Sequence, residues 1–314
     1  MAIYAITGGT GSLGTLLTCH LLKQGHHVRA LARGERGHLS LMQAVPRQHL
    51  NNLSSFIGDV RDRDRLLRAF DGADYVIHAA AAKVIPLCEY NPLDSIKTNV
   101  IGTSNVIDAC LDRGVKRAVF VSSDKACSPC TSYGAQKLTA ERLWLASNTY
   151  CGGKGGIFTA VRYGNCWGSA GSILHTFRFQ AQTGEVKITD ERCTRFHLKL
   201  ENAVGLVLYA LHSILAGELL VPKLPSYRVM DVASVLAPKA EVKFIGLRAT
   251  EKIHESMLNE NESPYATEHE DHYVVNFSKE AVNKRFSYDS GMNPWRVTRE
   301  DLRKDVEEWV RSGR

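Results

Sequence analysis

The chain has 314 residues, 44% hydrophobic and 23% charged, enough for a full α/β core with a smaller second lobe and unlike disordered or fibrous sequences. Its 39 lysines and arginines against 33 aspartates and glutamates give a net charge of +6. These charges are scattered along the chain, which suits a small anionic ligand and not a nucleic-acid track.

From the N-terminus, MAIYAITGG enters a strand pattern at once. It shows no basic segment, apolar core region or small-residue cleavage site, so the chain is expected in the cytoplasm. Strand-like runs then alternate with helical patterns: IYAIT, SLGTLLTCHLLKQG, VRALA, SFIGD, RDRLLRAF and YVIHAA. A long helix around Pro92 to Arg113 follows, then RAVFVSS, a helix from about Ser132 to Ser147, and GIFTAVRYGN. This alternation predicts six parallel strands in an α/β, Rossmann-type doubly wound sheet.

Beyond Asn165 the regularity falls away, with helical patterns at 200–215 and 298–312. The most apolar window, Ala203 to Val221, is interrupted by His212, Ser213 and Glu218, and predicts a buried helix followed by a strand and not a membrane span. A polar stretch, NENESPYATEHED at 259–271, is expected as a surface loop. The eight cysteines, at 19, 88, 110, 127, 130, 151, 166 and 193, read as reduced thiols.

TGGTGSLG, Thr7 to Gly14, places Gly8, Gly11 and Gly14 between the first strand and the first helix. That is the dinucleotide fingerprint: a tight turn at Gly8, close approach of pyrophosphate at Gly11, helix-on-strand packing at Gly14, and the helix N-terminus facing the phosphates. Thr10, Ser12 and Leu13 complete this turn. Where an acidic residue would hold the ribose hydroxyls of NAD, the second strand ends in LARGER. Arg33 and Arg36 favour NADP, with NAD the lesser alternative because Glu35 lies close by. Asp59 and Val60 follow the third strand, where a carboxylate could receive the adenine amino group, and Ala79, Ala80 and Ala81 follow the fourth. The expected division is therefore 1–165 with 199–222 as the dinucleotide-binding domain, and 166–198 with 223–314 as a C-terminal substrate-binding lobe.

Tyr133 and Lys137 stand one helical turn apart in YGAQK. They follow a fifth strand ending in Ser122 and Ser123, an arrangement suited to hydride chemistry. A neighbouring ammonium is expected to lower the tyrosine pKa and make a phenolate available. At the tip of the same strand stand Asp124 and Lys125. Alcohol oxidation needs neither, whereas eliminating water from a keto sugar needs a base for the hydrogen beside the carbonyl and an acid for the leaving hydroxyl. Cys127 and Cys130 form CSPC with no partner pair, and EKIHE offers His254 and Glu255 with no second ligand set. The first reads as a loop, the second as a helix face without chemistry, and no metal is expected.

Together these segments resemble the extended short-chain dehydrogenase/reductases that act on nucleotide sugars, specifically the soluble, inverting UDP-N-acetylglucosamine 4,6-dehydratases. The resemblance runs over nearly the whole chain, through TGGTGSLG, FIGDVRD, HAAAAKVIPLCEYNP, KTNVIGTSNVIDAC, SSDKACSP with YGAQK, RYGN, ITDERCTRF, LLVPKLPS and GLRATEKIHE. It implies that Tyr133 with Lys137 takes the carbon 4 hydroxyl proton, that Lys125 removes the carbon 5 hydrogen, and that Asp124 protonates the departing carbon 6 hydroxyl. NADP would be a bound catalyst, returned to its starting state. The resemblance adds Lys83, Asn99 and Ser122 to the cofactor contacts, and implies UDP-sugar contacts at Lys83, Ser123, Asn165, Arg195, Arg248 and Glu251. It further implies a homo-oligomer, dimer or hexamer, with no nucleic-acid or membrane partner. Related dehydratases that retain carbon 5 configuration carry spanning helices and a methionine where this chain has Tyr133. The chain departs from the family pattern at Val84, Ser128, Thr131 and Ala170.

Two other readings share much of this machinery. A nucleotide-sugar 4-epimerase, or another NDP-sugar dehydratase, would use the same glycine turn, Tyr133 and Lys137, and only Asp124 with Lys125 argue against the epimerase. An NADP-sensing interaction protein would keep the turn but has no use for an intact tyrosine and lysine.

Overall fold

The computed structural model describes residues 1–149, 151 and 156–312. Its large sheet begins with β1 (Ile3–Thr7), β2 (His27–Ala32), β3 (Leu53–Ile57), β4 (Tyr75–His78), β5 (Arg117–Val121) and β6 (Ile157–Val161). All six are parallel, in the order β3-β2-β1-β4-β5-β6. The mainly apolar runs of the central strands β1, β4, β5 and β6 fit this arrangement, because helices must cover both faces of a parallel sheet. The intervening helices are α1 (Ser12–Lys23), α2 (Glu35–Ala44), α3 (Arg63–Ala69), α4 (Ile85–Tyr90), α5 (Pro92–Ile96), α6 (Gly102–Asp112) and α7 (Ser132–Ala146). The long helix expected from Pro92 is α5 and α6 joined through a π turn at Lys97–Ile101.

The strand order reverses between β1 and β4, which opens a crevice at their carboxyl ends, beyond Thr7 and His78. The apolar window from Ala203 resolves as the helix Leu200–His212 and the strand Leu219–Pro222. That strand pairs parallel to β6, so the sheet has seven parallel strands and not six. The chain then returns to the same edge: His272–Val275 pairs antiparallel to Leu219–Pro222, and Ala266–Glu268 pairs outside it. Ala266, Val274 and Val275 bury into the main core. Residues 266–275 therefore extend the large sheet, and part of the polar stretch at 259–271 is strand and not loop.

A second, smaller core gathers around Trp167, Phe177, Ile188, Val232, Leu302 and Trp309. The helix expected at 298–312 spans Arg299–Arg311, opened by the Thr298 hydroxyl accepting from the Asp301 N–H. EKIHE is not a helix: His254 bridges Thr194, the Thr194 N–H donates to the Ile253 carbonyl, and Thr250 takes a φ of 67°. Cross-chain pairing there overrides the local helical spacing. Among the described residues no helix is long and apolar enough to cross a membrane.

Candidate active site

The crevice between β1 and β4 is the floor of a cavity of about 490 Å³. Gly8 has a φ of 72°, and a Cβ there would lie 2.9 Å from the backbone of Ala79 and Ala80. At Gly14 a Cβ would stand 2.3 Å from the Gly8 carbonyl oxygen. Only glycine allows β1, α1 and the strand-end alanines to approach this closely. Helix α1 starts on Gly11 without a side-chain cap, so its N-terminal field opens onto the cavity, as an anionic pyrophosphate requires. Gly8, Thr10, Gly11, Ser12, Leu13, Gly14, Ala79, Ala80 and Ala81 all line it. From the far side, the Ala170 N–H donates to Ser12 and Lys83 donates to the Ala170 carbonyl, which brings that loop across the glycine turn.

Arg33, Asp59 and Val60 line one end of this cavity, whereas Arg36 and Glu35 lie outside the lining, exposed on α2. Asp59 is already engaged by Arg61, whose backbone N–H and guanidinium donate to it. Partial burial raises its pKa, but the Arg61 hydrogen bonds and charge overcome this and leave it below the usual carboxylate range. Asn99 is not in the wall. It sits behind it, donating to the Ala82 carbonyl and to Gln136 while accepting from the Ala82 N–H. It positions the strand-end alanines, and its buried amide is fully occupied in doing so.

At the other end stand Ser122, Ser123, Tyr133 and Lys137. The Thr131 hydroxyl caps α7 by accepting from the Gly134 N–H. A Cβ on Gly134 would lie 2.4 Å from the Lys125 carbonyl oxygen, so this glycine lets α7 settle directly on the turn that carries Asp124 and Lys125. Lys137 is held by the strand before it. Its Nζ donates to the Val121 carbonyl at 2.7 Å and lies 3.8 Å from the centre of the Phe120 ring. Burial brings its pKa down to about 7. For Tyr133, burial pushes the phenol up to about 12, and the opposing cation is Lys125. Lys125, and not Lys137, is the leading cation acting on the phenol, while the Lys137 amine meets a carbonyl and a ring.

Asp124 is 1% exposed, and burial raises its carboxyl pKa against the pull of Lys125. Lys125 Nζ donates to Asp124 Oδ1 at 3.0 Å and to Asn165 Oδ1 at 2.9 Å. Despite the burial that opposes charge, Asp124 and Glu255 together raise the lysine pKa. Lys125 and Asn165 also belong to a second cavity, of about 390 Å³, lined further by Arg195, Arg248 and Glu251. The two cavities thus meet at Lys125 and Asn165, with Asp124 buried against the Lys125 ammonium. Arg195 lies 3.7 Å from Glu251, and the Arg248 N–H donates to the Glu251 carboxylate.

Residues 4–277 match the family described as polysaccharide biosynthesis protein. The chain belongs to this family. It is 39% identical over 317 residues to a Campylobacter jejuni protein named UDP-N-acetylglucosamine 4,6-dehydratase (inverting), covering 95% of each. It is also 36% identical over 282 residues to a UDP-glucose 4-epimerase of Rickettsia rickettsii, covering 86% of this chain and 81% of the other. The X-ray structure of Pen from Bacillus thuringiensis superposes with a TM-score of 0.92 at 33% identity over 98% of both chains.

The structure also brings into this region a residue to which the sequence reading gave no chemistry. Glu255, in EKIHE, is 5% exposed and places Oε1 3.5 Å from Lys125 and 3.9 Å from Arg195. Its partner lies 130 positions earlier, and the bridge of His254 to Thr194 together with hydrogen bonds between the Glu255 backbone and Ser290 brings it in. Thr98 of KTNVIGTSNVIDAC and Tyr163 of RYGN are further cavity-lining residues that the motif reading did not select.

Proposed function

We propose that this chain is a nicotinamide-dependent UDP-N-acetylglucosamine 4,6-dehydratase that inverts carbon 5. The observation that carries this is Lys125 at the junction of the glycine-turn cavity and an arginine-lined one, paired with the buried Asp124, supported by the inverting dehydratase 39% identical over 95% of the chain. A nicotinamide dinucleotide held by the glycine turn supplies reversible hydride acceptance, so the net reaction is loss of water. Tyr133 accepts the carbon 4 hydroxyl proton, with Lys125 as the cation the fold already places near it. Arg195 and Arg248 hold the anionic diphosphate, for which guanidinium geometry is suited.

The elimination needs one proton removed from carbon 5 and one delivered to the departing oxygen. Lys125 receives the first and Asp124 gives the second, which leaves the pair as the ammonium and carboxylate seen here. Burial of Asp124 favours its protonated form and so opposes this ion pair. Incubating the protein with UDP-N-acetylglucosamine in deuterated water is expected to give a product lacking one water and carrying deuterium at carbon 5. An unchanged mass with every UDP-hexose overturns the reading, and inversion at carbon 4 without water loss assigns the chain to the epimerases.

NADP is the proposed dinucleotide, because Arg33 lines the cavity where Glu35 does not. Arg33→Ala is expected to weaken NADP binding by about 10- to 100-fold, the worth of one charge-assisted hydrogen bond, and to leave NAD binding unchanged. Titration of both dinucleotides by fluorescence checks this, and an equal loss for both would remove Arg33 from the choice.

A further inference from the structure

We propose that Glu255 is a positioning residue for the elimination, a buried carboxylate that holds Lys125 in place and biases the proton of the Asp124–Lys125 pair toward the lysine. The proposal rests on the dehydratase reading for its consequence, but its observations are independent of it. Glu255 is reached from a segment far from the strand-end motif and lies 3.5 Å from the Lys125 ammonium, beside its bonds to Asp124 and Asn165. Its Oε1 faces Lys125 and Arg195, while its Oε2 is buried with no hydrogen-bond partner. A carboxylate oxygen left in that condition is costly, and ordinary surface pairing does not explain its retention at the wall of the substrate cavity.

The surrounding charges define what Glu255 does. Lys125 is faced by Asp124 and Glu255 on the acidic side and by Arg195 on the basic side, with Tyr133 and Tyr227 within electrostatic reach. Glu255 itself is faced by Lys125, Arg195 and Lys252. His254 is turned away, its Nδ1 against the Thr194 hydroxyl, and Glu251 pairs with Arg195 beyond it. Burial raises the Glu255 pKa, but Lys125, Arg195 and Lys252 bring it below the usual range, so it is ionised. An ionised carboxylate beside Lys125 favours the ammonium.

This sets the cost of each cycle. After elimination the carbon 5 proton sits on Lys125 and Asp124 has lost its own, so resetting the pair moves one proton from Lys125 Nζ to Asp124 Oδ1 across 3.0 Å. Glu255 opposes that transfer and thereby fixes the pH range in which Lys125 is a free amine.

The test is trace acetylation of the Lys125 amine with acetic anhydride as a function of pH, read by peptide mass spectrometry on the substrate-free enzyme, alongside melting temperature. In Glu255→Gln the midpoint of Lys125 reactivity is expected to fall by about one pH unit or more, as the loss of an adjacent opposite charge implies. The acid limb of water loss from UDP-N-acetylglucosamine moves the same way. Glu255→Asp, which keeps the charge but withdraws it by a methylene, gives a smaller shift in that direction, and serves alone if the glutamine variant does not fold. An unchanged Lys125 midpoint in a folded variant overturns the proposal. Wild-type enzyme that removes no water overturns the dehydratase reading and leaves the labelling result standing.

Discussion

Lys125→Met is expected to lower water loss from UDP-N-acetylglucosamine by about 10²–10⁴-fold, the usual worth of a general acid or base, while dinucleotide affinity stays unchanged. The ammonium turns to Asp124, Asn165 and Glu255, none of them part of the glycine turn, so its removal takes away the proton acceptor and not a phosphate anchor. Mass spectrometry of the product and calorimetric titration with the dinucleotide separate the two effects, and normal turnover by the variant would take Lys125 out of the mechanism. The substitution also leaves Asp124 buried without its cation. Burial already raises that carboxyl pKa, and without Lys125 it rises further. A carboxyl whose folded pKa is raised contributes stability below its unfolded value and loses it as pH climbs through the folded value. The variant should therefore melt progressively earlier than wild type as the solution is taken from acid to neutral pH.

Arg162→Met is expected to be the most destabilising of the substitutions considered, costing about 3–5 kcal/mol and lowering the melting temperature by on the order of 10 °C. Arg162 is fully buried just beyond β6 and donates to Glu141 on α7 at 2.5 and 3.1 Å. It also donates to Glu262 at 2.8 and 2.9 Å and to the Met257 carbonyl at 3.0 Å. Both carboxylates are buried, so deleting the guanidinium strands two anions in a low-dielectric interior. In wild type, burial raises the Glu262 pKa but Arg162 and Arg142 bring it below the usual range, a contribution present at neutral pH and lost on acidification. In the variant burial prevails and acidification helps. The gap between the two proteins should narrow as pH falls, and adding Glu141→Gln and Glu262→Gln should recover much of the loss. A gap independent of pH would mean that packing, not charge, holds this junction.

What could be read from the chain alone was what is local. The glycine turn and the strand-end pair Asp124–Lys125 each lie within one strand–turn–helix unit, where spacing and backbone geometry are enough to place them. Spacing is not enough where packing against another element decides which way a side chain turns. Spacing put Lys137 on the face of Tyr133, but the Val121 carbonyl and the Phe120 ring capture its ammonium. Asn99 lies near the cofactor motifs in sequence order, yet its amide is consumed in holding Ala82. Glu255 stands out in EKIHE, but its contact with Lys125 is made by pairing between distant segments, His254 with Thr194 and the Glu255 backbone with Ser290.

The order of strands in the large sheet also governs how the chain can be made. Leu219–Pro222 finds β6 already synthesised, but its other edge stays open until His272–Val275 emerges. At roughly 5–20 residues per second, the ribosome leaves this apolar edge without its partner for a few seconds. An unpaired edge of Leu219, Leu220 and Val221 is a template for joining another nascent chain. Polysome crowding and premature termination between these two strands are thus the circumstances in which this protein is most prone to aggregate.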